Sequence, residues 1–338
     1  MSRFRITTLI VLAISVLFVN LSRAEDSSYA GHPAVAGFVS KMQEEHGFDA
    51  DQLTQLFAKV RHRSRIIELM TSPAEAKPWK DYRPILVSPQ RVKQGVAFMQ
   101  THRKTLQRAE QVYGVPPEMI VAIIGVETRY GRITGSYRVM DALATLAFDY
   151  PKRSAFFSRE LAEFLVLARE EKVDPLVLKG SYAGAMGYGQ FMPSSYRHYA
   201  VDFDGDGQRD IWTNPVDAIG SVANYFSEHG WVKGGAVTLA AKVTGDAYVP
   251  MLVQRRSDLK PKYKLGDLVQ AGFSPDQKDL PELNQKATAM RLDASTGDEY
   301  WVGLYNFYVI TRYNHSALYA MAVYQLSQQI AHAAQVSG

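Results

Sequence analysis

A single acidic side chain closes a segment that is otherwise almost entirely apolar. Residues 116–131 read PPEMIVAIIGVETRYG. Glu127 follows Ile120, Ile123 and Ile124 by seven, four and three residues, so a helix places all four on one face. The remaining apolar positions predict that this helix is buried on nearly every side. Burial raises the pKa of a carboxyl group, and a carboxyl protonated near neutral pH can act as general acid on a glycosidic oxygen.

Glu127 also has a structural interpretation, in which it pairs with Arg129 or another base at the helix end. The spacing of two residues puts Arg129 on a different face and weakens that pairing. Glycoside hydrolases usually need a second carboxylate. Asp141 and Asp149 are the available candidates, and no spacing selects either. A lone acid is compatible with a mechanism in which the substrate supplies its own nucleophile.

An acidic loop forms a second candidate site. Residues 202–213 read DFDGDGQRDIWT, with the spacing of a calcium-binding loop and a glycine at position 6. Thr213 replaces the bidentate glutamate at position 12, which predicts weak affinity, and we assign the ion a structural role. The alternative is local, with Asn214 capping the next helix and Asp217 assisting at its third position. The predicted Ca²⁺ ligands are Asp202, Asp204, Asp206, the carbonyl of Gln208, and Asp217.

The chain of 338 residues is 46% hydrophobic and 21% charged, which is typical of a soluble globular protein. Arg3 and Arg5 precede an apolar run, 6–19, and residues 22–24 offer a cleavage site. We predict a signal peptide over 1–24 and a periplasmic protein. A membrane anchor is the alternative, but the run is shorter than the roughly 20 residues that a spanning helix needs.

Charge and cysteine content narrow the class of protein further. Removal of residues 1–24 lowers the formal net charge from +4 to +1, because that segment carries three arginines and no acid. This balance gives little reason to expect a nucleic-acid partner. The chain has no cysteine, which predicts neither disulfides nor a lipid anchor in the mature protein. No serine-hydrolase elbow, zinc motif or phosphate loop is present, and we expect no organic cofactor.

The elements that must position these residues are mostly helices. Apolar spacing predicts helices over 33–46, from Asp51 onward, and from Pro89 to near Gly114, with an extended proline-rich connection before Pro89. Further helices are predicted over 116–130, 139–149, 151–172, 193–200, 215–229 and 316–333. Between about 236 and 312 short β-like runs predict a small β-rich subdomain, with a strand from Tyr300 to Ile310. The predicted fold class is α+β, mainly α.

Three long segments resemble the membrane-bound lytic murein transglycosylase B family: GVETRYG, the run GSYAGAMGYGQFMPSSY at 180–196, and ITRYNHSALYAMAV at 310–323. The resemblance covers nearly the whole mature chain. It implies a goose-lysozyme-like helical core and Glu127 as the single catalytic acid. It also implies cleavage of the MurNAc–GlcNAc β-1,4 bond of peptidoglycan to a 1,6-anhydromuramoyl end. In that reaction the N-acetyl group of muramic acid assists, and its 6-hydroxyl captures the anomeric carbon.

The sequence patterns and the resemblance together predict the organisation of the chain and its partners. The predicted segments are a signal peptide (1–24), an N-terminal helical region (25–95), a catalytic core with the calcium loop (96–232), a β-rich subdomain (233–312) and a C-terminal helix (313–338). Peptidoglycan glycan strands are the expected partner. We expect a monomer without a membrane anchor, with cell-wall synthesis proteins as further possible partners. The counterpart of Asp217 in the family reaches back to the calcium loop.

Substrate-binding residues are predicted from the loop at 180–196 and from the family pattern. Glycines there permit close approach of a sugar, and polar and aromatic side chains could bind it; a tight structural loop is the alternative. Lys152 and Arg153 could bind substrate carboxylates, or could simply begin a helix at the surface. The predicted tyrosines could equally be core residues with satisfied hydroxyl groups. The predicted set is Ser181, Gln190, Tyr188, Phe191, Lys152, Arg153, Tyr225, Tyr313, Asn314, Tyr319 and Tyr82.

Two other functions fit the same residues. One is a hydrolytic lysozyme or chitinase on the same fold, whose products retain a reducing end. The other is a noncatalytic glycan-binding or calcium-dependent adhesive protein, in which Glu127 has no chemical role. Product analysis separates the first alternative from a transglycosylase, and substitution of Glu127 separates the second.

Overall fold

The structure is a computed structural model that describes residues 27–71, 77–277 and 280–337. The predicted signal peptide, residues 1–24, lies outside the described residues. Among the helices within these ranges, none has both the length and the apolar character required to cross a bilayer.

The described ranges contain fourteen α-helices. They are α1 (Pro33–His46), α2 (Ala50–Phe57), α3 (Ser64–Thr71), α4 (Trp79–Leu86), α5 (Pro89–Thr101), α6 (Arg103–Tyr113), α7 (Pro117–Thr128), α8 (Val139–Asp149), α9 (Ser154–Glu170), α10 (Pro193–Tyr199), α11 (Pro215–Glu228), α12 (Leu265–Gln270), α13 (Tyr305–Tyr313) and α14 (Ala317–Ser337). The predicted bounds of α1 and α8 agree with the structure. Gly47, with φ of 65°, ends α1 in the left-handed conformation that glycine tolerates best.

The proline-rich stretch before Pro89 is largely helical where it is described, so the predicted extended connection is wrong there. α4 begins directly after Pro78, whose extended backbone suits the position before a helix. Pro84 lies inside α4 and removes one backbone N–H donor. Trp79, only 1% exposed, supplies packing that stabilises this short helix despite that loss.

The single helix predicted from Pro89 to Gly114 is two helices, α5 and α6. They meet at His102, whose backbone leaves the helical region at φ −107° and ψ 23°. Ser88 caps α5, since its hydroxyl accepts the N–H of Arg91 at 3.3 Å.

α7 is the central helix of the body, and its residues from Ile120 to Ile124 are fully buried. α14 packs against α7, α5 and α4, while α8 packs on α9 and α11 packs on α6. Surrounded in this way, α7 gives the acid at its end a rigid support.

Seven strands form two sheets in the described chain. The strands are β1 (Tyr137–Arg138), β2 (Lys179–Gly180), β3 (Thr238–Val243), β4 (Tyr263–Lys264), β5 (Phe273–Pro275), β6 (Lys286–Ala294) and β7 (Gly297–Gly303). β1 and β2 pair alone, and the other five form an antiparallel sheet in the order β4-β6-β7-β3-β5. The larger sheet has its own apolar core, which includes Leu239, Phe273 and Val302.

The strand predicted from Tyr300 to Ile310 is wrong beyond Gly303. β7 ends at Gly303, and the chain continues as α13 from Tyr305. The alternation placed apolar residues on both strand faces, and such a run also fits a helix buried on most sides. Phe307, Val309 and Ile310 are fully buried in that helix.

Candidate active site

Glu127 is the penultimate residue of α7, and the backbone turns sharply after it. Arg129 and Tyr130 adopt φ of 50° and 63°, the left-handed region. Their N–H groups donate to the carbonyls of Gly125 and Ile124 at 3.1 and 3.2 Å. α7 therefore ends at Thr128, with the left-handed Arg129 as its C-cap.

The Glu127 carboxyl has a raised pKa of about 7, and its cause is burial. The Tyr319 hydroxyl donates to Glu127 Oε1 at 2.5 Å and lowers that pKa somewhat. The predicted pairing partner Arg129 is not a cause of the shift. At neutral pH both the protonated and the ionised form of Glu127 are therefore accessible.

Two buried side chains fix the end of α7. The Arg91 guanidinium, 7% exposed, donates to the carbonyls of Gly125 and Val126 at 2.7 and 3.3 Å. It also donates to the Ile85 carbonyl on α4 at 3.2 Å. The Gly125 carbonyl also accepts the Arg129 N–H, and Val126 lies in the last turn of α7, where backbone donors within the helix are no longer available. Arg91 thus holds the backbone on which Glu127 stands.

Thr128 links the same turn to the loop at 180–191. Its hydroxyl donates to the Tyr188 carbonyl at 2.9 Å and accepts the N–H of Gly131 at 3.0 Å. The ring of Tyr188 lies against Gly131, where an added Cβ would approach it to 2.1 Å. The acid and this loop are therefore one rigid unit.

Aromatic side chains from several helices and from the loop at 180–191 lie near the acid. Tyr313 donates to the Gly189 carbonyl at 2.6 Å, and burial, together with the nearby carboxylate of Glu127, raises the pKa of Tyr313. The ring centroid of Tyr313 lies 4.7 Å from that of Tyr225 and 6.0 Å from that of Phe191. Burial and the Glu127 carboxylate raise the pKa of Tyr319, and the nearby phenol of Tyr82 adds a smaller contribution.

Ser181 and Gln190 take part in the internal structure of their loop. The Ser181 hydroxyl oxygen accepts the N–H groups of Ala183 and Ala185 at 3.2 and 3.0 Å. The Gln190 amide donates to the carbonyls of Thr134 and Gly187 at 3.1 and 3.0 Å, and its backbone has φ of 52°. These bonds support the interpretation of this segment as a tight structural loop. Because the Ser181 oxygen only accepts in them, its hydroxyl hydrogen can still donate to a ligand.

The remaining predicted substrate-binding residues are less closely tied to the acid. Lys152 and Arg153 are exposed in a short turn of 3-10 helix, and the Arg153 guanidinium lies 4.4 Å from the Phe156 ring centroid. Asn314 follows α13 and is half-buried. Within the described ranges, no hydrogen bond or ion pair joins these three side chains to Glu127.

Neither candidate for a second carboxylate faces Glu127. Asp141, 1% exposed, accepts bonds from Arg63 and Arg138 at 3.0 and 2.7 Å. Asp149 accepts a short hydrogen bond from the Tyr29 hydroxyl. Burial raises the pKa of Glu127 and the hydrogen bond from Tyr319 lowers it. In the described part of the chain, no acidic neighbour contributes to this pKa.

In the acidic loop, Asp202, Asp204 and Asp217 each offer an oxygen, and these oxygens lie within 4.8 Å of one another. Carboxylate oxygens at this separation suit Ca²⁺, which binds oxygen at 2.3–2.6 Å, so the residues fit the ion. Asp206 is not a member of this group, and its carboxylate accepts the Gln208 N–H at 2.8 Å.

Asp217 belongs to the loop although it lies on α11. It is fully buried, and its two oxygens accept the N–H groups of Phe203 and Asp210 at 2.7 and 2.9 Å. Asn214 caps α11 as the alternative interpretation stated, by accepting the Val216 N–H at 2.9 Å. Both interpretations of this segment therefore contribute: Asn214 caps the helix and Asp217 turns to the loop.

Comparison with known proteins decides the family. Residues 30–328 match the family model described as the transglycosylase SLT domain, which is far more than half of the chain.

The chain belongs to the transglycosylase SLT domain family.

Individual relatives agree with this assignment. The transglycosylase is 51% identical over 314 residues to membrane-bound lytic murein transglycosylase B of Escherichia coli (strain K12), with 90% of this chain and 84% of that protein covered. It resembles the catenated lytic transglycosylase SltB1 of Pseudomonas aeruginosa at 55% identity and a TM-score of 0.86, covering 91% of this chain and 100% of that one. The lytic transglycosylase Slt35 of Escherichia coli in complex with calcium is 50% identical with a TM-score of 0.82, and the match covers 91% of this chain and 96% of that one.

These matches confirm three of the predictions: the family resemblance, the mainly helical α+β fold with a lysozyme-like core, and the class of lytic transglycosylase. Two supporting residues of the transglycosylase were missed. Arg91 carries no local signal, because a lone arginine in a helix is usually at the surface. Thr128 stands inside the GVETRYG segment, and its position next to the acid was the available signal.

Proposed function

We propose that this lytic transglycosylase cleaves the β-1,4 bond between MurNAc and GlcNAc in peptidoglycan, and that Glu127 acts first as general acid and then as general base. The observation that carries the proposal is a single buried carboxyl with a pKa of about 7. A group with this pKa can both give and take a proton near neutral pH. The absence of an acidic neighbour among the described residues leaves both roles to the same side chain.

In the first step, protonated Glu127 transfers its proton to the glycosidic oxygen as the bond from that oxygen to the anomeric carbon breaks. The N-acetyl oxygen of the same muramic acid attacks the anomeric carbon and carries the positive charge. In the second step, ionised Glu127 removes the proton of the 6-hydroxyl, whose oxygen displaces the acetamido oxygen. The products are a 1,6-anhydromuramoyl end and a free 4-hydroxyl on GlcNAc, and Glu127 is protonated again.

The surrounding residues fit the two steps. Tyr319 donates to Glu127 Oε1 and orients the carboxyl in both protonation states. Phe191, Tyr225 and Tyr313 pack against one another, and Phe191 and Tyr225 are only 3% and 7% exposed, so we propose that they chiefly support the wall of the sugar-binding cleft. We propose that Ser181 and Gln190 bind acetamido groups and that Lys152 and Arg153 meet substrate carboxylates. Tyr82, Tyr188 and Asn314 complete the proposed cleft.

We expect kcat/KM for murein to fall as pH rises above about 7. The first step needs protonated Glu127, and burial sets its pKa at about 7. Well below that pH nearly all of the Glu127 carboxyl is protonated, and well above it the protonated, active fraction drops tenfold per pH unit. Initial rates of muropeptide release at constant ionic strength would test this. A profile still flat at pH 9 would exclude Glu127 as the acid.

A hydrolytic muramidase is separated from this proposal by its products. Capture by the 6-hydroxyl gives a muropeptide lighter by one water and without a reducing end, whereas hydrolysis gives a reducing end. Mass spectrometry of the released muropeptides, with borohydride reduction as a second readout, should show the anhydro form. Reducible products alone would favour the hydrolase.

We also propose that the acidic loop binds Ca²⁺ as a structural ion, with Asp202, Asp204 and Asp217 as its central ligands and Asp206 and the Gln208 carbonyl completing it. The convergence of the first three carboxylates supports the site. Asp217 would connect the ion to α11, and through α6 the loop stabilises the helical body. Export to the periplasm and action as a monomer complete the proposal.

Calcium at hundredfold excess over its Kd should raise the free energy of unfolding by about 2.7 kcal/mol. A rise in Tm of roughly 5 °C over the chelated protein is expected for a chain of this size. Asp204→Asn removes an exposed ligand without disturbing the core and should abolish the rise, whereas Asp246→Asn, on an exposed loop elsewhere, should keep it. Equal Tm values with calcium and with chelator would contradict the site.

A further inference from the structure

A groove runs between the helical body and the larger sheet. It consists of two cavities of about 480 and 560 Å³ that share Trp301, Tyr324 and Gln328. Trp79 and Arg83 of α4 line the first cavity, and the second is lined by Glu118 at the start of α7. Both volumes fall within the range of small-ligand sites.

The groove lies at the opposite end of α7 from the acid. Glu127 contacts Tyr319 near the start of α14, whereas Glu118 shares the second cavity with Ser327 and Gln328. α7 and α14 therefore run antiparallel, with the acid at one end of the pair and the groove at the other. Nine residues of helix separate Glu118 from Glu127, a rise of about 13.5 Å. The groove is thus a place distinct from the cleft.

The lining has the chemistry of a carbohydrate site. Trp301 and Tyr324 are half-buried, so part of each side chain is accessible. Amide groups of Gln328 and Gln329 stand along α14, where they can donate to and accept from hydroxyl and acetamido groups, whereas the Gln325 oxygen already accepts from Arg83 at 2.5 Å. Aromatic faces with a few directed polar groups are the usual means of holding a largely neutral, amphipathic ligand.

The charges of the groove are mixed. Lys80 and Arg83 lie at the first cavity with Glu299, and the second adds Glu118 and Asp276. Lys80 is paired with Asp293 at 3.3 Å, and the Trp301 indole donates to Glu299 at 3.3 Å. This near balance does not favour a strongly charged ligand such as a polyanion, and it leaves a sugar as the best fit.

We propose that this groove is a second, noncatalytic binding site for a segment of peptidoglycan glycan. The identity of the sugar in this proposal rests on the proposed function. A strand held there keeps the enzyme on murein while the cleft at the other end of α7 binds and cleaves. Trp301 and Tyr324 supply the ring faces, and the glutamines of α14 bind the acetamido groups.

Titration calorimetry of the Glu127→Gln protein with the tetrasaccharide (GlcNAc–MurNAc)₂ tests the proposal. Two molecules should bind per chain. Trp301→Ala in the same background should weaken one of the two sites roughly tenfold or more, from the loss of one aromatic contact. Tyr305→Ala removes an aromatic residue that is 40% exposed on α13, outside the groove, and should leave both sites unchanged.

Gln328→Arg guards against a folding defect in the Trp301 variant. Position 328 is exposed on α14, so the larger side chain obstructs the groove without removing a packed ring. Gln328→Arg should also lower the number of bound tetrasaccharide molecules to one per chain. One site in every variant, or two sites in all of them, overturns the proposal, as does displacement of the groove-bound sugar by stem peptide alone. Lysis by Glu127→Gln at more than a tenth of the wild-type rate would instead contradict the catalytic assignment, so the two failures are distinguishable.

Discussion

Replacement of Glu127 by glutamine is expected to lower the rate of murein cleavage by roughly 10²–10⁴-fold, the usual contribution of a general acid–base residue. Glutamine keeps the shape of the side chain and can still accept from Tyr319, but it has no proton to give at neutral pH. Release of soluble muropeptides from purified murein, separated and weighed by mass spectrometry, measures the effect.

Glu110→Gln is the matched control. It makes the same change at a half-buried position of α6, which packs on α7, and it should retain the wild-type rate. Binding of a murein tetrasaccharide should persist in Glu127→Gln. If this variant kept more than a tenth of the activity, the assignment of Glu127 would be wrong.

The same variant should be more stable than the wild type above pH 7. Burial raises the pKa of Glu127 from 4.5 to about 7, so its folded state prefers the protonated form. A carboxyl with a raised pKa contributes stability that is full below pH 4.5 and is lost as pH rises to about 7. Glutamine does not ionise, so the variant does not lose stability as pH rises in this way. Thermal unfolding at pH 5 and pH 8 should show the gain in Tm growing with pH.

Tyr319→Phe is expected to shift the alkaline limit of activity upward by roughly one pH unit, because a hydrogen bond to a charged group contributes roughly 1.5–3 kcal/mol. The Tyr319 hydroxyl favours ionised Glu127, so its removal raises the pKa of the acid further. The rate at pH 6 should fall at least about tenfold, since the carboxyl also loses the bond that orients it.

The pH–rate profile distinguishes this role from a purely structural one. Tyr308→Phe removes a phenol on the neighbouring α13 and should leave the profile in place. A Tyr319→Phe protein with reduced rate but an unmoved alkaline limit would show that Tyr319 only packs. An unchanged rate would show that it does not act on Glu127 at all.

Local sequence patterns were sufficient for much of the helical body. The spacing around Val35 and Phe38 and the stop at Gly47 placed α1 correctly, and the apolar segment before Glu127 predicted a buried helix with an acid at its end. Periodicity failed where two structures share one pattern. The apolar run after Gly303 fits a strand or a buried helix equally, and tertiary packing decided for the helix.

The site was less accessible to local reasoning because its parts are far apart in the chain. Glu127 and Tyr319 are 192 residues apart, and no periodicity predicts that they meet. The family resemblance put Tyr319 in the cleft, and geometry adds the hydrogen bond. Local patterns gave no sign of the role of Arg91, because that role depends on hydrogen bonds from its guanidinium to carbonyls on α4 and α7. In the acidic loop the spacing of aspartates was readable, while the grouping of Asp217 with Asp202 needed the fold.

The placement of Tyr319 on the last helix has a consequence for the timing of enzyme assembly. Chains are made from the N-terminus, and their early parts fold first. Glu127 on α7 is synthesised well before α14, which carries Tyr319 and closes the packing around α7. An unfinished or prematurely terminated chain therefore has the acid without the phenol that orients it. The orientation of the acid therefore depends on α14 as well as on α7, and a chain cut before Tyr319 is expected to keep the acid and lose most of its activity.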